Sequence, residues 1–115
     1  MPSVQQGSVI RAWVTDPRDG NPKPRPLVVI SKTSEISQTS VFFAVAITGV
    51  FDEPLQDDEV LLPWHPSGKC KSGLVKPCIA KCSWLRQLLV TDVIEVKGHL
   101  RGHELDAVVA ISGME

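Results

Sequence analysis

Two side chains in this sequence are suited to holding a phosphate: Arg25 and Thr48. Arg25 stands in "NPKPRPLVVISK" (21–32), where three prolines and two basic residues run into four aliphatics and a third basic residue, Lys32, follows. A guanidinium is always charged, and its planar fork can grip two phosphate oxygens. At the mouth of a buried strand its backbone is held, which suits preorganised stabilisation of developing negative charge. Thr48 closes the apolar run "VFFAVAI", where its hydroxyl can hold a phosphate or a sugar hydroxyl. Lys23, Lys69, Lys71 and Lys76 are cations that could line the path of a polyanion, and Trp64 or His65 could stack a base.

The possible metal ligands are His65, Cys70, Cys78 and Cys82, spaced H-x4-C-x7-C-x3-C. This lacks the C-x2-C knuckle of common structural zinc sites. In a regular strand Cys78 and Cys82 would lie about 13 Å apart, too far to share an ion. The three cysteines are therefore expected to be reduced thiols, an odd set that closes no disulfide framework within one chain. No metal and no cofactor is expected.

These groups must be positioned by one domain, 1–115, long enough to bury a core without staples. The net charge of −1 conceals a segregation. "DEPLQDDE" (52–59) carries five acids in eight positions, whereas residues 60–91 carry none and hold Lys69, Lys71, Lys76, Lys81 and Arg86. Such a dipolar surface can steer a polyanion to one face and an acidic partner to another. No segment has the apolar length of a membrane helix, and "MPSVQQGSVIR" lacks the pattern of a signal peptide, so a cytoplasmic protein is expected.

Short β-rich runs separated by Gly and Pro predict a mainly β fold. Strands are expected at 8–14, 26–31 and 40–48, a short one starts at 59 and breaks at Pro63, and 74–85 and 93–100 are extended. The prolines of 16–24 place that segment in a loop, because they cannot donate to a sheet ladder. The runs at 26–31 and 40–48 are apolar without alternation, so both faces should be covered, as in a sheet curled on itself. Residues 101–112 read as a helix through Leu105, Val108, Val109 and Ser112, stopping at Gly113 to plug the open end of a barrel.

Four motifs occur in order: Gly7-Ser8-Val9, "DPRDG" (16–20), "RPLVVIS" (25–31) and Ile47-Thr48. In this order and spacing the chain resembles the MazF/PemK toxins, over most of its length. The resemblance implies an SH3-like barrel of the MazF/PemK/CcdB plasmid-maintenance type with a C-terminal helix. It also implies a homodimer, and a metal-independent endoribonuclease cutting single-stranded RNA to 2′,3′-cyclic phosphate and 5′-OH ends. A cognate acidic antitoxin protein would silence it. The family's arginine of the R-P motif contacts the scissile phosphate and the threonine after the third strand supports it. These fall on Arg25 and Thr48. Some relatives carry an Arg-x-Asp pair as acid and base on a later strand, and Lys81 and Ser83 stand at those positions here.

RNA supplies its own nucleophile, the 2′-OH, so the protein must align it, stabilise charge and take one proton. Serine needs an activating partner to replace a carboxylate base, so Asp16 and His65 are the further candidates for that proton. Two rival expectations remain: a catalytically degenerate RNA- or protein-binding module of the same fold, and a protein-interaction barrel without a nucleic-acid role.

Overall fold

A computed structural model describes residues 4–15, 22–37, 39–70 and 72–113. Six strands and one helix follow in chain order: β1 Ser8–Thr15, β2 Pro22–Val29, β3 Phe42–Thr48, β4 Glu59–Leu61, β5 Ile79–Leu88, β6 Val93–His99 and α1 His103–Ser112. The strands form one antiparallel sheet in the order β4-β5-β3-β2-β1-β6. The expected mainly β fold with a C-terminal helix is therefore present.

The sheet curls so that each face carries its own core. Val9, Val28, Ile30, Val45, Ile47 and Cys82 pack under Val108 of α1 on one face. Ile10, Leu27, Val29, Phe42, Ala44 and Leu88 pack on the other. This is why Leu27–Ile30 is apolar without alternation: at 0–1% exposure, neither face of the strand meets water. Each of these four side chains contributes about 1.5–3 kcal/mol through burial. The hydrogen-bonded order leaves β4 and β6 as ends. The segment between β4 and β5 fills the space between them, placing Leu62, Leu74 and Cys78 in one core with Leu100.

One expectation is corrected. Residues 22–24 are not loop: Pro22, Pro24 and Pro26 are all strand residues, opposite Thr15, Trp13 and Arg11 of β1. The reason is parity. Amide directions alternate along a strand, and Ile30 donates its N–H to Phe43 O on the β3 side, while Val29 O accepts from Gly7 on the β1 side. Lys23 and Arg25 thus turn their amides to β1. The three prolines turn their ring nitrogens the other way, where pairing with β3 ends at Leu27. No ladder bond is lost.

Smaller differences follow the same logic. Residues 74–78 are not strand, and β5 runs on to Leu88 because its second half pairs with Phe42 to Val45 of β3. The helix starts at His103, after Gly102 at φ +66°, and ends at Gly113 in the left-handed conformation.

Candidate active site

β2 and β3 pair only from Leu27↔Ala46 to Val29↔Ala44. Before Leu27, β2 stays with β1 and parts from β3. The wedge between them is a groove of about 490 Å³ lined by Arg25, Pro26, Leu27, Ala46, Thr48, Trp84 and Arg86, among others. Alternation explains the lining. Arg25 shares the face of Leu27 and Val29, Thr48 shares that of Phe42 and Ala44, and Arg86 and Trp84 precede Leu88 by two and four residues. The open end of one core thus becomes the site.

Arg25 is exposed, and among the described residues no hydrogen bond or ion pair engages its guanidinium. Thr48 Oγ1 accepts a hydrogen bond from the Val50 N–H at 3.1 Å, which anchors the hydroxyl and leaves its proton to donate. Arg86 donates Nη1 to its neighbour's carbonyl, Leu85 O, at 3.0 Å. Among the described residues, two guanidiniums and no carboxylate line this groove. An anion is its natural guest.

No protein-family model matches the sequence, and no curated protein is significantly similar to it. Solved structures are similar in fold. MazF of Deinococcus radiodurans superposes with a TM-score of 0.75 at 17% identity, over 98% of this chain and 96% of that one. The toxin MazF-mt6 of Mycobacterium tuberculosis gives 0.68 at 16%, over 92% of each chain. A mycobacterial endoribonuclease in complex with its cognate antitoxin gives 0.66 at 13%, over 95% of this chain and 93% of that one.

The chain has the MazF fold.

Within this MazF fold the sequence-predicted residues are distributed unevenly. Arg25 and Thr48 line the groove together. Lys76 approaches its Thr48 end, its Cε 3.2 Å from where a Cβ on Gly49 would lie. Lys23 is exposed on β2, two residues before Arg25. His65 and Lys69 are not among the lining residues. Nδ1 of His65 stays within its own loop, 2.7 Å from Ser67 Oγ and accepting the Ser67 N–H at 3.1 Å. Trp64 lies beside it, half-exposed and also away from the groove. Asp16 and Lys71 lie outside the described residues. Trp84 and Arg86 were not predicted as site residues. The signal was present in the parity of β5, but only a strand register reveals which residues it brings beside Thr48.

Lys81 and Ser83 do not line the groove either. Lys81 Nζ lies 3.2 Å from Asp58 Oδ1 and 3.3 Å from Glu59 Oε2, and Ser83 Oγ donates to Asp58 Oδ2 at 2.6 Å. The acidic run therefore folds back at its end onto the basic stretch instead of forming a separate surface. The Ser83 hydroxyl holds the Asp58 carboxyl below the usual 3.8, with Lys81 adding to this and burial opposing it. Burial works against the Lys81 charge, but the two carboxylates outweigh it and hold the amine above the usual 10.5.

A depressed carboxyl stabilises the fold above its unfolded value and loses this as pH falls through the folded one. A raised amine stabilises below its unfolded value and loses this as pH rises. The pair is thus intact between about 3.8 and 10.5. The melting temperatures of the wild type and Asp58→Asn should differ by a constant amount from about pH 5 to 9 and converge below about pH 4. A gap that keeps widening in acid would contradict the pairing.

Among the described residues no three His, Cys, Asp or Glu side chains converge as a metal site. Cys78 and Cys82 are buried in the core, and burial pushes the Cys82 thiol up to about 11. Cys70 is part-exposed, and a hydrogen bond with Ser72, Sγ to Oγ 3.2 Å, lowers its thiol below the usual 9.0. Iodoacetamide at mildly alkaline pH should label Cys70 first, with Cys78 and Cys82 following only on unfolding. Peptide mass spectrometry reads the order; early labelling of Cys82 would refute its burial.

Proposed function

We propose that this chain is a metal-independent endoribonuclease of the toxin–antitoxin kind, acting on single-stranded RNA. One observation carries the reading: among the described residues, an uncommitted guanidinium and an anchored hydroxyl face one groove that no carboxylate lines. Arg25 grips the scissile phosphate and neutralises charge as the phosphorus becomes five-coordinate. Thr48 donates to a second phosphate oxygen. The nucleophile is the RNA's own 2′-oxygen, so cleavage leaves a 2′,3′-cyclic phosphate and a 5′-OH. DNA lacks that oxygen and is not cut. Trp84, half-exposed at the groove, offers a ring for a neighbouring base.

The partners follow from the same surface. One of the solved neighbours is an endoribonuclease held by its cognate antitoxin. An acidic antitoxin segment over this groove would compete with RNA for Arg25 and Arg86. Exposed Trp13, Leu85 and Leu89 offer apolar area for the expected homodimer. Among the described residues no helix is long and apolar enough to cross a membrane.

The test is incubation with a mixed-sequence RNA in EDTA, beside Thr48→Ala. Discrete fragments with 5′-OH ends are expected from the wild type, and roughly 10-fold to 100-fold fewer from the variant, which loses one hydrogen bond to charge. Binding without cutting would favour the degenerate module, a reading to which the engagement of Lys81 and Ser83 by Asp58 lends weight.

A further inference from the structure

Cleavage through the 2′-oxygen requires a group that removes its proton, and among the described residues the groove lining supplies none. Its polar side chains are two guanidiniums, two threonine hydroxyls and an indole. Nearby acceptors are mostly committed. Glu59 receives the Gln56 N–H on Oε1 and Lys81 on Oε2. Asp92, in the adjoining cavity, accepts the Leu89 N–H and caps a turn.

Asp58 differs in what its hydrogen bond leads to. Val45 pairs with Leu85 and Ala46 with Lys81, so Cys82, Ser83 and Trp84 bulge out of the β3–β5 ladder. Trp84 lines the groove, and so does Ala46. Ser83 therefore adjoins one lining residue in sequence, and Lys81 faces another across about 5 Å of strand spacing. The Ser83 hydroxyl is already oriented, donating its proton to Asp58 Oδ2 at 2.6 Å, while its oxygen keeps lone pairs for a second donor. Lys81 fixes the other carboxylate oxygen.

We infer that Ser83 and Asp58 form the proton-accepting pair of this site. This rests on the ribonuclease reading above. The Ser83 oxygen takes the proton of the 2′-OH as its own proton passes to Asp58 Oδ2. The 2′-oxygen bonds to phosphorus, the bond from phosphorus to the 5′-oxygen breaks, and that oxygen takes a proton from solvent water. The bulge in β5 thus joins the acidic run to the groove.

The experiment compares single-turnover RNA cleavage by the wild type, Asp58→Asn, Ser83→Ala and the double variant Asp58→Asn/Ser83→Asp. Affinity for an all-2′-deoxy oligonucleotide and the melting temperature are measured for each. Both single variants should still fold and should bind the oligonucleotide as the wild type does, Asp58→Asn melting lower by the gap given above, but both should cleave roughly 100-fold more slowly or worse. The double variant places a carboxylate directly where the hydroxyl stood and should recover at least 10-fold of that loss. A merely structural role would not give this recovery. Cleavage by Asp58→Asn at the wild-type rate overturns the pair and leaves the ribonuclease reading standing. A slow Asp58→Asn with no recovery in the double variant likewise overturns it. A wild type that cuts no RNA overturns both.

Discussion

Arg25→Ala should leave the fold intact and slow RNA cleavage by about 1,000-fold. Loss of one preorganised donor to developing negative charge costs roughly 100-fold to 1,000-fold, and a full cation in a groove belongs at the upper end. Stability should hardly change, because the side chain is exposed and among the described residues makes no hydrogen bond or ion pair. Arg25→Lys separates charge from geometry. It keeps the charge but loses the planar fork, so it should recover only part of the rate. Single-turnover cleavage and a thermal melt check both statements. A variant that cuts as fast as the wild type would remove Arg25 from the site, whatever the fold resembles.

Gly73→Ala should destabilise the protein by about 3 kcal/mol and lower its melting temperature by roughly 10 °C or more. Gly73 has φ +73°, where an L side chain is strained, and a Cβ there would lie 2.5 Å from Lys97 O on β6. That carbonyl belongs to backbone and cannot swing aside. The contact ties the segment that fills the space between β4 and β6 to the far edge of the sheet. Gly113→Ala is the control: φ is +81° but among the described residues nothing lies within 4 Å, so only the conformational cost of about 1 kcal/mol applies. Equal melting shifts for the two would show that Lys97 is not a close neighbour in solution.

Much of the scaffold was legible because it depends on local pattern. The runs "PLVVIS" and "VFFAVAIT" announced two doubly covered strands, and Leu105, Val108 and Val109 announced the helix. Half of the candidate site was legible for the same reason, since Arg25 and Thr48 are placed by the ends of those strands. The rest depends on register, which one sequence does not display. Ser83 and Asp58 stand 25 positions apart and meet only because Glu59 pairs with Lys81. Arg86 reaches the groove through its pairing with Ala44, and Trp84 from the bulge between Leu85 and Lys81. The prolines misled for another reason. Their cost in a sheet depends on which edge the nitrogen faces, and composition is silent about that.

Those prolines also give the rim of β2 a chemical polarity, and the last of them, Pro26, lines the groove. Along 22–26 the rim of β2 away from β1 carries carbonyl oxygens and no amide hydrogen at all. A visiting peptide strand needs both donors and acceptors in alternation, so it cannot zip onto this rim, and two copies of the protein cannot fuse there into a longer sheet. A guest bristling with hydrogens is received differently. Hydroxyl and amine groups bring protons to a row of oxygens that has none to give. The main chain of β2 thereby bars sheet extension along this rim before any side chain acts, and offers acceptors alone.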